Sequence, residues 1–333
     1  MALIDVHSHI LCQRYVELLA EHGQGKYHIA QDTEGRTIVM RHGARFLTLM
    51  PQMFDPVVRL SEMAALGVGT QLISYTGPNC YWAAENAIPA VVRVMNDHIA
   101  EVCAKSPGRY HGLASIPLQN VGMALEEMAR AIDELGMVGL ILLANVNEVP
   151  LDDPRFEPIW DELNGRRLPV LLHPTVPPGG AAMGLDDYGL AASVGFMLDT
   201  TLAVSRMIFA GVFERYPNWP LIVCHAGATL PYIASRLDRC YHTIPDARAR
   251  ISRPPSEYLA NFYYDTVCYD AKALALACDL AGPGHLLFGT DYPHNVSDVK
   301  GCADRIGALP VTDDEKELIR SGNARRLFRL DET

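Results

Sequence analysis

Eight times along this 333-residue chain a short aliphatic or β-branched run gives way to a longer stretch with helical spacing. The runs predict strands at 3–10, 68–75, 110–117, 138–143, 169–173, 221–225, 262–268 and 285–289. Helical stretches fall near 56–66, 82–104, 120–136, 155–165, 197–215, 229–239, 271–281 and 313–320. Parallel strands need a crossover between them, and a helix supplies it. No Pro/Gly/Ser linker divides the repeat, so the pattern favours a (β/α)8 barrel over a doubly wound sheet, as a single domain spanning 1–333. Local signals agree. Asp313, Asp314 and Glu315 precede Lys316 and Arg320, which suits the dipole of a helix there, and Pro217 stops the 197–215 stretch.

Two insertions interrupt the repeat. Residues 26–50 alternate in polarity around Thr33-Glu34-Gly35, which predicts a hairpin. Residues 175–190 are rich in Pro and Gly and read as a loop. Each follows a strand that ends in histidine. Because barrel enzymes work at the C-terminal ends of their strands, both insertions are candidate walls or lids.

Composition narrows the function classes. Hydrophobic residues make up 49% and charged residues 20%, enough apolar surface for a large core and against disorder. The formal charge is −11 with no Lys/Arg run, which argues against nucleic acid and anionic membranes as partners. No apolar run approaches transmembrane length, and MALIDVHSHI has neither a basic leader nor a cleavage site. Eight scattered cysteines without a CxxC pair read as reduced, mostly buried thiols, so a cytoplasmic location is expected. Dinucleotide and P-loop glycine patterns are absent, which argues against nucleotide cofactors.

The chemistry gathers at strand ends. The first strand closes with Asp5-Val6-His7-Ser8-His9, and alternation predicts that Asp5, His7 and His9 share a face at the barrel mouth. Two imidazoles at i and i+2 can bind one metal ion, with a nearby acid as ligand or orienter. The fifth strand ends at His173, the sixth at His225 and the eighth at Asp291. Four apolar strands thus each end in a metal-ligand type. By the same alternation Cys224 faces away from the mouth as a packing thiol. His294 reads as a solvated loop histidine and Arg59 as structural.

With these residues in place the chain resembles the amidohydrolase superfamily. More narrowly, IDVHSHI, LLHP, VCHAGATLPYIASRLDR and LFGTDYPH resemble the aminocarboxymuconate-semialdehyde decarboxylase family of metal-dependent decarboxylases. DPVVRLSEMAALGV, AGVFERYP, RPPSEYLANFYYDT and SGNARRLF extend the resemblance over nearly the whole chain.

The resemblance implies one divalent ion, zinc or else manganese, held by His7, His9, His173 and Asp291, with zinc mildly favoured by the donor set. His225 would be the catalytic histidine beside a metal-bound water, and Asp291 would also help shuttle the proton. Binuclear relatives carry a bridging carbamylated lysine after the fourth strand. Here that strand ends GLILLANVN, without lysine, which favours a single ion. The implied reaction is oxygen-independent decarboxylation of a small unsaturated or aromatic carboxylic acid. The implied substrate contacts are Arg45, Tyr188 and Arg236, the last entering the active site of the partner in a homodimer.

The same parts can direct water at a carbonyl or double bond, so hydrolysis of an amide, ester or lactone, or hydration, is the alternative. A metal-dependent binding protein is a third reading, and the intact His225 argues against it. The sequence departs from the family after His225, where Ala226-Gly227-Ala228 replaces a glycine run, and at Thr175, where tryptophan is usual. Both changes touch the pocket wall and leave the candidate ligands intact.

Overall fold

The computed structural model describes residues 2–23 and 25–330. Its strands are β1 (Leu3–His9), β2 (Tyr27–Gln31), β3 (Thr37–Arg41), β4 (Ala44–Thr48), β5 (Val68–Ser74), β6 (Tyr110–Ser115) and β7 (Gly139–Leu143). They continue with β8 (Asn145–Val146), β9 (Val149–Pro150), β10 (Val170–His173), β11 (Leu221–Val223), β12 (Tyr263–Asp265) and β13 (Leu286–Leu287). One eight-stranded sheet runs in the order β1-β5-β6-β7-β10-β11-β12-β13, with every neighbouring pair parallel. Chain order is therefore spatial order, as a nearly closed barrel wound by right-handed βα units requires.

The helices are α1 (Gln13–His22), α2 (Pro56–Ala65), α3 (Ile88–Lys105), α4 (Val121–Ala129), α5 (Glu157–Arg166), α6 (Phe196–Phe209) and α7 (Val212–Arg215). They continue with α8 (Leu230–Thr243), α9 (Pro255–Leu259), α10 (Ala271–Ala281), α11 (Val299–Ala308), α12 (Asp313–Glu317) and α13 (Asn323–Phe328). Their starts follow from local chemistry. Asp55 accepts hydrogen bonds from the amides of Val57 and Val58 with Pro56 in the first turn of α2, and Thr312 and Glu315 form a reciprocal capping box on α12. The 197–215 stretch is two helices, because Gly211 turns with φ +73° between α6 and α7.

Alternation divides the strand residues between two apolar layers. Ile4, Val6, Leu72, Leu113, Ile141, Leu171, Ile222 and Leu287 form the inner cluster. Their neighbours Leu140, Leu142, Val170, Leu172, Leu221 and Val223 pack into the larger cluster shared with the helices. Each such side chain, when fully buried, contributes ~1.5–3 kcal/mol.

Three expectations need correction. The 26–50 insertion is a three-stranded antiparallel sheet, β2-β3-β4, because the chain turns again through His42 and Gly43 at positive φ. An apolar run long enough to cross a membrane does exist at Ala191–Phe209, with mean hydropathy 1.2 and 44% of it buried. Ala203, Val204, Met207 and Ile208 face the core, while Val194, Leu198 and Leu202 stay exposed. Helices α1, α9, α11 and α13 lie outside the expected helical stretches.

The barrel closes irregularly. Between β1 and the segment running from β13, the contacts are the amide of Val6 to the Phe288 carbonyl (2.9 Å), Asp291 to His7 (2.8 Å) and His9 to Tyr292 (2.7 Å). Arg59, fully buried on α2, braces this seam. It donates to the His9 carbonyl (2.5 Å), Ser8 Oγ (3.2 Å) and Gln71 Oε1 (3.2 Å), and lies 5.1 Å from the Tyr292 ring centroid. Arg59 is structural, as expected.

Candidate metal centre

β1 does not keep strict alternation. Its register against β5 shifts between Asp5 and Ser8, so residues on either side of the irregularity change faces. His7 and His9 turn toward the mouth, with their Nε2 atoms 3.1 Å apart. Asp5 does not join them, contrary to the alternation argument. It accepts from Thr290 Oγ1 (2.7 Å) and Gln71 Nε2 (3.1 Å), and burial raises its pKa to about 6.

Five imidazoles surround the Asp291 carboxylate. From Oδ1 the Nε2 atoms lie at 3.1 Å for His9, 3.3 Å for His7, 3.8 Å for His294 and 4.0 Å for His173. His225 Nε2 lies 3.7 Å from Oδ2. The donor atoms of His7, His173, His225 and Asp291 fall within 4.8 Å of one another, as do those of His9, Asp291 and His294. His294 is thus part of the cluster and not a solvated loop residue.

Two backbone turns deliver the later members. His225 and Asp291 adopt φ of +58° and +59°, so neither side chain follows the face that strand alternation assigns. Cys224 precedes the turn and keeps strand alternation with Ile222. It belongs to the inner apolar cluster with Ile222, close to His7 and Asp265, and so points into the barrel beneath the histidines. Burial pushes its thiol up to about 12, which makes it inert packing.

For His7, His9 and His173 the hydrogen bonds behind the cluster fix which nitrogen faces inward. His7 Nδ1 lies 2.6 Å from Asp265 Oδ2, and a carboxylate only accepts, so the proton sits on Nδ1. His173 Nδ1 donates to the Pro174 carbonyl at 2.8 Å. Ser74 Oγ donates to the Ser8 carbonyl (3.3 Å) and lies 3.1 Å from His9 Nδ1, whose proton it can accept. Each ring therefore turns an Nε2 lone pair toward Asp291.

Those lone pairs meet no proton. His173 Nε2 is buried without a hydrogen-bond partner. Burial holds His9 well below the usual histidine range and His173 at about 4, so both are neutral near pH 7. Burial also opposes ionisation of Asp291, but His294, His173, His225 and His7 hold its carboxyl well below the usual range. The neutral imidazoles of His9 and His173, with the His7 ring and the Asp291 carboxylate beside them, match the donor set of a divalent cation. Burial opposes positive charge on His7, whereas the Asp265 and Asp291 carboxylates favour it. Asp265 and Ser74 are the orienting residues that strand-end motifs did not reveal; Asp265 ends β12 as the Asp of YYDT, and that position was the available signal.

The candidate substrate residues fare differently. Arg45 points away from the cluster, half-exposed and ion-paired with Asp32, because it lies on the outer strand of the insertion sheet. Tyr188 is 96% exposed at φ +54°. Arg236 is exposed on α8. Arg41 and Lys26 line a separate cavity with Tyr27, Trp82, Asn147, Glu148 and Thr175, beside the segment that follows His173. Arg41 Nε is buried without a partner, and burial together with the Arg41 charge lowers the pKa of Lys26. Arg41 also lies one turn of hairpin away from Arg45, across the His42-Gly43 bend.

A parallel barrel with clustered histidines and an aspartate at the C-terminal ends of β1, β10, β11 and β13 defines a metal-dependent barrel hydrolase or lyase. The amidohydrolase family model matches residues 4–330, and the chain belongs to that family. It is similar to 2-amino-3-carboxymuconate-6-semialdehyde decarboxylase of Dictyostelium discoideum, with 32% identity over 98% of this chain and 92% of that one. It is also similar to gamma-resorcylate decarboxylase of Rhizobium sp. (strain MTP-10005), with 30% identity over 82% and 86% of the two chains. A solved dihydroxybenzoic acid decarboxylase from Polaromonas sp. JS666, with bound manganese and the inhibitor 2-nitroresorcinol, superposes with a TM-score of 0.84. It shares 25% identity and covers 100% of this chain and 98% of its own.

Proposed function

We propose that this chain is a metal-dependent decarboxylase of a small aromatic or unsaturated carboxylic acid. The observation that carries the reading is the set of Nε2 lone pairs turned on Asp291, in a family whose similar members are named as decarboxylases. His7, His9 and His173, whose Nε2 atoms lie 3.1–4.0 Å from Asp291 Oδ1, would with Asp291 hold one divalent ion, zinc by donor chemistry, with manganese the ion of the Polaromonas neighbour. When bound, that ion supplies Lewis-acid stabilisation of the negative charge that develops on the substrate.

The residues divide the remaining work. Arg41 and Lys26 bind an acidic group of the substrate, two cations facing the single Glu148 carboxylate of their cavity. His225 carries the proton. The bond from carbon to carboxylate breaks, its electron pair stays on that carbon, and the His225 proton replaces the departing CO2 there. Asp291 receives and returns the proton through His225, whose Nε2 it faces at 3.7 Å.

We read the active form as a homodimer that brings Arg236 into the partner's site. Its support is the exposure of Val194, Leu198 and Leu202 along one helical stretch and of Tyr232 on α8, which is 81% exposed one turn before Arg236. Eight free thiols support a cytoplasmic location.

The test is release of CO2 from 2,6-dihydroxybenzoate and muconate-type acids by protein loaded with zinc or manganese, with His225→Ala as control. CO2 release that His225→Ala abolishes without loss of metal supports the assignment. Turnover of esters, lactones or amides without CO2 release would move the protein to the hydrolases.

A further inference from the structure

The catalytic reading leaves one member of the cluster without a task. His294 lies 3.8 Å from Asp291 Oδ1 through Nε2, and its ring centroid is 5.0 Å from that of His9 at 62°. Its amide donates to the Asp291 carbonyl at 3.1 Å, so the turn that delivers Asp291 also delivers His294. Yet its Nε2 is already engaged, 3.0 Å from Thr76 Oγ1. Thr76 is buried two residues beyond Ser74, at the end of β5. The nitrogen nearest Asp291 is therefore shared with a hydroxyl, unlike the lone pairs of His7 and His173.

A count of hydrogens gives the pair a use. A neutral imidazole carries one N–H and threonine one O–H, so the two residues own two donor hydrogens. Their mutual bond consumes one, whichever residue donates. Among the described residues no other side-chain hydrogen bond engages either group. One donor thus remains at the rim of the cluster, between the segments that follow β5 and β13.

We propose that His294 and Thr76 form a substrate-contacting pair that binds an oxygen substituent beside the departing carboxylate, selecting acids that carry such an oxygen. The inference rests on the decarboxylase reading above. It assigns His294 to substrate and leaves the ion to His7, His9, His173 and Asp291. The free donor meets a hydroxyl or phenolate oxygen, and a substrate lacking it leaves that donor buried and unpaired.

Calorimetric titration of the manganese-loaded protein tests it, with 2,6-dihydroxybenzoate and benzoate as probes. His294→Phe should weaken 2,6-dihydroxybenzoate roughly tenfold and benzoate less than about twofold, with manganese content unchanged. His294→Gln, which keeps a donor, should restore part of the loss. If His294→Phe does not fold, Thr76→Val carries the same comparison. Equal changes for both probes, no change for either, or loss of manganese from His294→Phe would each overturn the inference. A wild type that neither binds nor decarboxylates either acid removes the decarboxylase reading and this one together; an active wild type with unaltered variants removes this one alone.

Discussion

The Nδ1 atom of His7 lies 2.6 Å from Oδ2 of Asp265, both side chains fully buried. The other Asp265 oxygen accepts from the amides of Ala226 (2.9 Å) and Val267 (3.1 Å). One carboxylate thus fixes the tautomer of a β1 histidine and the turn that carries His225. Asp265→Asn keeps the volume but removes the charge and offers only one accepting oxygen. Affinity for zinc or manganese should fall by ~10–100-fold, measured by competition with a chelator of known affinity. An unchanged affinity would show that His7 orientation does not depend on Asp265.

Gly289 permits that contact. A β-carbon there would sit 3.0 Å from the β-carbons of both His7 and Asp265, neither of which can yield without moving its backbone. Gly289→Ala should cost about 1–3 kcal/mol in urea unfolding and reduce metal content, because overpacking falls on a ligand and its orienting carboxylate. Normal metal content at full stability would contradict the close approach.

Arg41 and Arg45 are separated by one bend and offer an internal control. Arg41→Met removes a cation from the cavity it shares with Lys26 and should raise KM by ~10–100-fold with a smaller change in kcat, the size of a lost charge-assisted hydrogen bond. Arg45→Met removes only the ion pair to Asp32 and should leave both constants within about twofold. The opposite ranking, read from steady-state kinetics, would return the substrate contact to Arg45.

Asp199 connects α6 to the segment after His173, accepting from the Thr175 amide (2.9 Å) and Asn145 Nδ2 (2.9 Å). Burial raises its pKa from 3.8 to about 6. A carboxyl with a raised folded-state pKa holds its proton longer in the native protein than in the unfolded chain. Its penalty on stability is absent below about pH 4, grows through the interval up to about 6, and is complete above it, reaching at most about 3 kcal/mol. Comparing Tm from pH 4 to 7.5, the wild type should lose ground to Asp199→Asn as pH rises. A constant difference between the two proteins across that range would refute the shift.

Residue patterning alone determined the barrel, the eight strand positions to within a few residues, and the histidines and aspartate at the strand ends. Those features depend on local chemistry: aliphatic runs make strands, and the C-terminal ends of barrel strands all open on one mouth. Tertiary structure decided what alternation could not. The register shift in β1 separates Asp5 from His7, and positive φ at His225 and Asp291 reverses the faces on which those side chains lie. The orienting role of Asp265 and the place of His294 depend on partners more than 200 residues away along the chain. Arg45 and Tyr188 look outward for a similar reason, since their directions are set by how the insertion sheet and the 175–190 loop pack on the barrel. Sequence spacing reports which residues a strand can present, whereas bulges, left-handed turns and long-range hydrogen bonds choose which of them meet.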